Sequence, residues 1–312
     1  MRDDLLRLLG EELRLLRSEG IEKISLSDKV MRLLDRPASA PAPSIQPTSE
    51  SKAVANTAER VPTKIILPDS LSKGASASPR AKQTKLHDPT LITPPTVSLP
   101  DGSKLEQWEW LKNRVLTCEV CLQHLNPDKK LVFGVGNLDA DIFFCGEAPG
   151  ADEEMKGEPF VGKAGELLNG MIKAMGLSRG DVYIGNIMNW RPQTGNPFGN
   201  RPPTDEEMAF CLPYLKAQIE VIRPKVIVAL GGTAVKGLLG IETKGQMGRL
   251  RGQWHTCENT PVMVTYHPSF LLHQGTVESK RKVWEDLLSV MEKVDLEISQ
   301  KQRNFFLSAI KG

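Results

Sequence analysis

The densest group of chemically useful residues is the stretch CGEAPGADEEMKGEPFVGKAG, which runs from Cys145 to Gly165. It directly follows the apolar run DIFF, and it combines glycines with several carboxylates. Glycine lets backbone approach a ligand closely, and acids near the rim of such a loop can carry charge or hold water. The same composition also fits an ordinary polar turn between a strand and a helix, so this loop decides nothing alone.

The bulk composition narrows the class of protein. The chain has 312 residues, a net charge of +2 and a pI of about 8.2, so no general basic field marks a nucleic-acid binder. No apolar run reaches the ~18 residues of a membrane span, and the N-terminus lacks the cleavage site of a signal peptide. Five cysteines, an odd number, do not suggest a secreted disulfide framework. We expect a cytoplasmic monomer without a membrane partner.

Aromatic residues divide the chain into two parts. All seventeen Phe, Trp and Tyr residues fall at or after Trp108, whereas eleven of the twenty-two prolines lie within 37–100. A segment rich in Pro, Ser and Ala without aromatics cannot bury enough apolar surface to offset its ordering entropy. We therefore predict a disordered linker over 36–105, a folded domain over 106–295 and a C-terminal tail over 296–312.

Two short amphipathic helices are predicted over 1–35, ahead of the linker. Leucines at positions 6, 9, 13 and 16 line one face of a helix, and Gly20 is a plausible end. A second helix, SLSDKVMRLLD, has a capping residue at Ser27. One interpretation is a docking helix for a protein partner. The other is a local helical hairpin, or a marginal helix without a partner.

From Trp108 onward, strand-like and helix-like patterns alternate. Strands are predicted for ADIFFCG, DVYIGN, KVIVALGG and PVMVTYH, and helical segments separate them and close the chain. Fully apolar central strands in this alternation predict an α/β three-layer sandwich, with a mostly parallel central sheet flanked by helices. Ligands of such sheets bind beyond the carboxyl ends of the strands. Three loops leave those ends, with the sequences GEAPG, NIMNW and HPSFLL.

Taken together, the loops resemble those of family 4 uracil-DNA glycosylases. The motifs GEAPGADEE, PFVGKAG, YIGN, NRPPT, RPKVIVALGG and YHPSFLL occur in the same order and at similar spacings, over roughly 106–295. The resemblance implies a DNA repair enzyme that flips uracil out of DNA and hydrolyses its N-glycosidic bond. Two alternatives stay open: a glycosylase for other deaminated bases such as hypoxanthine or xanthine, and a non-catalytic binding module for uracil or DNA.

The resemblance also implies roles for residues at the base. Phe160 would stack on uracil, while backbone at Gly146 and Ala148 would lie against it. The amide of Asn186 can donate to O4 of uracil and accept from N3–H, an arrangement that cytosine does not match. His267 would donate to O2 as negative charge develops on the departing base.

A carboxylate in the GEAPG loop is expected to stabilise the oxocarbenium-like sugar or to position water. Glu153 is the preferred candidate and Glu147 a supporting one. The leucines after His267 resemble the wedge that fills the gap left by a flipped base. Leu271 is the expected wedge, and Leu272 fits a core position equally well.

Two arginines in the stretch GRLRGQW, Arg249 and Arg251, are candidate phosphate contacts. A charge run of this kind also fits a solvated surface, so both interpretations stay open.

The family commonly carries a 4Fe–4S cluster on four cysteines, and here the set is incomplete. Cys118, Cys121 and Cys211 match three positions, but Trp190 stands at the other. Indole cannot ligate iron. Either a cluster persists on three thiolates with a substitute ligand, or packed Trp190 and free thiols have replaced it. The sequence favours replacement, and no cofactor is expected in the chemical step.

Overall fold

The chain is described here from a computed structural model, which covers residues 93–194, 199–240 and 246–307. The helices predicted over 1–35 and nearly all of the predicted linker lie outside these described residues. The expected disorder of the N-terminal extension therefore stays a prediction.

A mixed sheet forms the centre of the domain, with strands in the order β1-β3-β2-β4-β6-β5. The four inner strands are parallel, and the two outer strands each pair antiparallel with a neighbour. The predicted α/β class with a mostly parallel sheet is confirmed, whereas the outer strands were not predicted. The strands are β1 (Val135–Gly136), β2 (Ile142–Gly146), β3 (Tyr183–Asn186), β4 (Val226–Leu230), β5 (Trp254–Cys257) and β6 (Thr260–Thr265).

Helices cover both faces of the sheet. None of the helices in the described parts of the chain is long and apolar enough to cross a membrane. The helices are α1 (Lys104–Leu116), α2 (Glu119–Gln123), α3 (Ala151–Lys156), α4 (Lys163–Ala174), α5 (Asp205–Ile222), α6 (Gly232–Leu239), α7 (Met247–Leu250), α8 (Pro268–Gln274), α9 (Val277–Lys293) and α10 (Gln300–Arg303).

The alternation of side chains along β2 explains the two helical layers. Phe143 and Cys145 point into a core shared with α1, α2, α5 and α6. Ile142 and Phe144 point into the opposite core, shared with α4 and α9. Because successive residues of a strand face opposite sides, a continuously apolar strand requires a helical layer on each face.

Segments at both ends of the predicted domain also pack onto it. Val97 and Leu99 contact the first core, and Ser103 caps α1 through a reciprocal bond with Glu106. At the other end Leu296, Ile298 and Phe305 contact the second core.

The register of the inner strands determines where the loops meet. Gly146 is the register partner of Asn186, and both are the last residues of their strands. β4 and β6 run parallel to β2, so their following loops leave the same edge. The sheet thereby brings four loops together at its carboxyl edge.

Candidate active site

A cavity of about 340 Å³ lies at this carboxyl edge. Its walls come from the loops that follow β2, β3, β4 and β6. That volume falls at the small end of the range for ligand pockets. The predicted residues Glu147, Ala148, Glu153, Phe160, Asn186 and His267 all line it.

Asn186 and Phe160 both approach Gly146, and the Phe160 ring lies beside His267. The rings of Phe160 and His267 have centroids 5.7 Å apart and planes inclined at 33°. A Cβ placed on Gly146 would lie 2.4 Å from Asn186 Oδ1 and 2.5 Å from Phe160 Cζ. Glycine is therefore required at this position, because a side chain would displace both neighbours.

The side-chain oxygen of Asn186 is the most informative atom of the cavity. Asn186 is buried, and its Oδ1 has no hydrogen-bond partner within the described part of the chain. A buried acceptor without a donor costs free energy, so such atoms are rare unless a ligand or water completes them. Here the atom borders a cavity, where a ligand donor can reach it.

His267 is held as a neutral donor. The backbone N–H of Ser269 donates to Nδ1 over 3.1 Å, and Ser269 Oγ lies 2.7 Å from the same nitrogen. Because Nδ1 accepts, the ring proton of the neutral form resides on Nε2. Burial lowers the pKa of His267 from 6.5 to about 4, against an opposing effect of nearby Glu153. The imidazole is therefore uncharged at neutral pH.

Glu153 binds backbone amides with both carboxylate oxygens. Its Oε1 accepts from the N–H groups of Val161 and Gly162, each over 2.9 Å, and its Oε2 accepts from Gly150 over 3.1 Å. These bonds fix α3 to the turn that carries Phe160. The carboxylate predicted to position water thus also supports the cavity wall.

Glu147 is held from one side only. Its Oε2 accepts a hydrogen bond from Thr233 at the start of α6. For Oε1, no partner is found among the residues that the structure describes. Burial raises the pKa of Glu147, and the bond from Thr233 opposes that shift.

Comparison with known proteins agrees with this arrangement. Residues 133–288, half of the chain, match the family model described as the uracil DNA glycosylase superfamily. The chain belongs to this superfamily. The matched residues fall within the predicted domain and include every predicted residue of the cavity.

Curated relatives from several organisms agree with the predicted resemblance to family 4, which is confirmed. The Type-4 uracil-DNA glycosylase of Thermotoga maritima is 43% identical over 185 residues, 58% of this chain and 92% of the relative. The Type-4 enzyme of Archaeoglobus fulgidus is 40% identical over 177 residues, covering 54% and 85%. That of Saccharolobus solfataricus is 36% identical over 198 residues, covering 59% and 88%.

The leucine pair after His267 lies opposite to expectation. Leu271 is 7% exposed and belongs to the second core, whereas Leu272 is 45% exposed. The burial of Leu271 does not fit its choice as the wedge, whereas Leu272 reaches the surface.

The two candidate phosphate contacts also differ. Arg251 forms a part-buried ion pair with Asp286, which also accepts a hydrogen bond from Thr265 over 2.7 Å. This pairing fixes the end of β6, two residues before His267, and engages the guanidinium that was expected to contact phosphate. Arg249 is exposed on α7 and stays a candidate for contact with phosphate.

The three matching cysteines lie in one region on the first face of the sheet. Cys118 is within hydrogen-bonding reach of Cys121 and Tyr214, while Asn189 donates hydrogen bonds to the buried Cys211. Burial raises the pKa of Cys121 and of Cys211 well above the usual value for a thiol.

Trp190 belongs to the same buried core as these cysteines. Its side chain is fully buried, stacks on His124 at 5.0 Å and 13°, and lies 6.2 Å from the ring of Phe210. Across 93–194, 199–240 and 246–307, no three Cys, His or acidic side chains converge to hold a metal ion. Because Trp190, whose indole cannot ligate iron, stands where the remaining cysteine is expected, the residues present do not fit a four-cysteine cluster.

Sequence reasoning missed the residues that hold the functional groups in place. Thr233, Ser269 and Arg179 bind Glu147, His267 and the backbone of Phe160, respectively. Ser269 was visible within the HPS motif. Nothing in the sequence pairs Thr233 with Glu147, because 86 residues separate them.

Proposed function

We propose that this protein is a DNA repair glycosylase, which flips uracil out of DNA and hydrolyses its N-glycosidic bond to leave an abasic site. The observation that carries the proposal is the unpaired, buried Oδ1 of Asn186, beside Phe160 and His267 in one cavity. The Type-4 uracil-DNA glycosylases similar to this chain support the same reaction.

Base recognition follows from the amide of Asn186. Oδ1 accepts from N3–H of uracil, and the amide N–H₂ group donates to O4. Cytosine presents an acceptor at N3 and a donor at its amino group, so it would oppose both bonds. Phe160 supplies a face for stacking, while the backbone at Gly146 and Ala148 lies along the base.

Departure of uracil is assisted by His267. As the N-glycosidic bond breaks, electrons move onto the base and negative charge grows at O2. The neutral imidazole, fixed by Ser269, stabilises that charge through a hydrogen bond from Nε2–H and keeps its proton.

For the developing positive charge on the sugar, we assign Glu147 rather than Glu153. Its Oε1 is available to the sugar or to an attacking water, whereas both oxygens of Glu153 hold backbone amides. Glu147→Gln should slow excision by about 10²–10⁴ with the fold intact. Glu153→Gln should lower stability and rate together, because a Gln amide group meets backbone donors. If Glu153→Gln instead slowed excision with the fold intact and Glu147→Gln did not, Glu153 would be assigned to the charge on the sugar.

Contact with DNA is assigned to two exposed residues. Arg249 lies in α7, after β4, and Leu272 lies in α8, after β6. Leu272 would fill the space that the flipped base vacates, and Arg249 would contact phosphate. Leu272→Ala should slow excision from double-stranded DNA more than from single-stranded DNA, in which no stacked gap needs filling.

We further propose that the protein works without an iron–sulfur cluster. The packing of Trp190 against His124 and Phe210 supports this, as does the hydrogen bonding of Cys211 by Asn189. Protein purified without oxygen should be colourless and contain far less than one iron per chain. Stoichiometric iron that is lost on Cys118→Ser would overturn this part of the proposal.

The remaining features concern context. We propose that the chain acts as a monomer in the cytoplasm and that its N-terminal segment binds a protein partner. Light scattering of the full chain would test the first point, since a concentration-independent dimer mass contradicts it.

The decisive experiment offers the purified chain oligonucleotides containing uracil, hypoxanthine or xanthine, followed by alkaline cleavage of abasic sites. We expect cleavage at uracil and its loss in Asn186→Asp, because a carboxylate cannot donate to O4. Asn113→Asp, the same change on the exposed face of α1, is the matched control. Failure to release uracil from single- and double-stranded DNA by folded protein would overturn the proposal.

A further inference from the structure

The backbone at Phe160 adopts a conformation that its side chain disfavours. Its φ angle is +52°, in the left-handed region that L-residues other than glycine, asparagine and aspartate seldom occupy. Such residues persist only where the surrounding structure holds them, and they concentrate at functional sites. The question is which groups hold this one.

Arg179 binds the carbonyl side of the turn. Its guanidinium donates from Nη1 to the carbonyl oxygen of Phe160 over 3.1 Å and from Nη2 to that of Pro159. Nη1 also lies 3.2 Å from Asn169 Oδ1 in α4. A planar guanidinium can hold two neighbouring carbonyls in fixed directions, which a single ammonium group cannot do.

Glu153 binds the amide side of the same turn. The two N–H groups that follow Phe160 both donate to its Oε1. Opposite charges therefore hold consecutive peptide groups, with carbonyls on the cation and amides on the anion. Gly165 completes the turn, because a Cβ there would lie 1.9 Å from the Phe160 carbonyl oxygen.

Arg179 does not line the cavity, so it has no direct path to a bound base. Its contacts end on the backbone that orients the Phe160 ring, and that ring forms the cavity wall beside His267. A rotation of the peptide group at Phe160 would tilt the ring away from its position in the cavity wall.

We infer that Arg179 is a positioning residue, which fixes the ring plane of Phe160 for stacking on the flipped uracil. The inference rests on the proposed function and adds a residue outside the cavity to its machinery. It predicts that loss of Arg179 acts on excision only through Phe160.

The test is a double-mutant cycle on single-turnover excision from uracil-containing single-stranded DNA. Arg179→Met keeps the length of the side chain but removes its donors, and Arg179→Lys retains one charged donor group. A displaced catalytic geometry can cost up to about 10²-fold in rate. We expect a loss of about 10–100-fold for Arg179→Met and a smaller loss for Arg179→Lys. In a Phe160→Ala background, either change should add less than about twofold, because the ring is already absent.

Arg281 provides a matched control. It is a half-buried arginine that donates to two backbone carbonyls, those of Arg303 and Phe305, each over 2.8 Å, away from the cavity. Arg281→Met should lower the melting temperature and leave the rate per folded molecule unchanged. All rates are measured well below each variant's melting temperature, and Arg179→Lys carries the test if Arg179→Met does not fold.

Two results would overturn the inference: an Arg179 variant with the parent's rate, or equal losses with and without the Phe160 ring. In both, the parent still excises uracil, so the proposed function stands. A parent that releases no uracil in the same assay removes the proposed function, and the inference falls with it.

Discussion

The cavity and the cysteine region each contain a buried polar atom without a partner among the described residues, but they differ in what surrounds it. Asn186 Oδ1 borders an open volume of about 340 Å³. Trp190 Nε1 is enclosed in a fully buried side chain between the rings of His124 and Phe210. An unpaired polar atom therefore indicates a ligand only where space adjoins it. In the cysteine region the unpaired atom belongs to a ring packed in the core, which supports the proposal that packing takes the place of a cluster ligand.

The largest effect that would test this contrast is on stability. Trp190→Ala should lower the free energy of unfolding by about 3–5 kcal/mol, because it opens a cavity in a core. Excision by the folded fraction should remain near the parent rate, since Trp190 does not line the cavity. Denaturant unfolding and single-turnover kinetics measure the two quantities. Trp254→Ala, at an exposed tryptophan, is the control.

If Trp190→Ala instead stopped excision in folded protein, the cysteine region and the cavity would be coupled, and the two regions could not be treated as separate. Less than about 1 kcal/mol of destabilisation would mean that Trp190 is not core packing, given the usual cost of removing a large buried side chain.

The cavity should show the opposite pattern. His267→Ala should slow excision by about 10²–10³, or on the order of 3–4 kcal/mol of transition-state stabilisation, through loss of one positioned donor. DNA affinity should change little, and the free energy of unfolding should fall only by the cost of a lost helix cap, about 0.5–2 kcal/mol, because His267 caps α8. His273→Ala, at an exposed histidine of the same helix, is the control. Turnover within threefold of the parent would show that His267 is structural.

A smaller effect concerns pH. The unfolded chain protonates His267 near pH 6.5 and the folded chain only near about 4, so the folded state binds fewer protons in that interval. This histidine should therefore lower the free energy of unfolding as pH falls from 6.5 towards 4. NMR, with His267→Ala for assignment, should show a neutral ring protonated at Nε2 at pH 6. A signal titrating near 6.5 would contradict the assignment.

The smallest effect is expected from truncation. Removal of 1–92 should leave the excision rate on short oligonucleotides unchanged, because a linker of the kind predicted over 36–105 would transmit little force to the folded domain. Removal of 1–104 should cost stability, since it deletes Ser103, which caps α1, and the packed Val97 and Leu99. Loss of a cap alone costs about 0.5–2 kcal/mol. A large drop in rate for the shorter deletion would place DNA contacts in the N-terminal segment.

The parallel core of the fold was predictable because its strands are continuously apolar. β2 and β4 are buried along their whole length, so their sequences carry the signal directly. β5 is buried only at its last residue, and β1 has two residues, so neither has a detectable pattern. Their pairing depends on tertiary contacts that a sequence window does not contain.

Within the candidate site, the loops could be predicted from the sequence, but the roles of individual residues could not. Leu271 and Leu272 are adjacent, and only the rotation of α8 decides which of them faces the core. Likewise Glu153 looks like a free acid until its bonds to Val161 and Gly162, eight and nine residues away, are seen. The types of residues and their spacing in the sequence indicate which chemical groups the site contains. Hydrogen bonds to the backbone, which the sequence does not reveal, decide which of those groups can still act on a substrate.

The packing of Trp190 has a consequence for how the protein becomes active. Under the proposal that the protein works without a cluster, the folded chain would have no maturation step to await, since it would need no iron delivery, sulfide supply or assembly scaffold. Its activity should appear as soon as folding ends, including in cell-free translation with iron chelated. Repair by such an enzyme would continue under iron starvation and oxidant exposure, conditions in which exposed clusters are damaged.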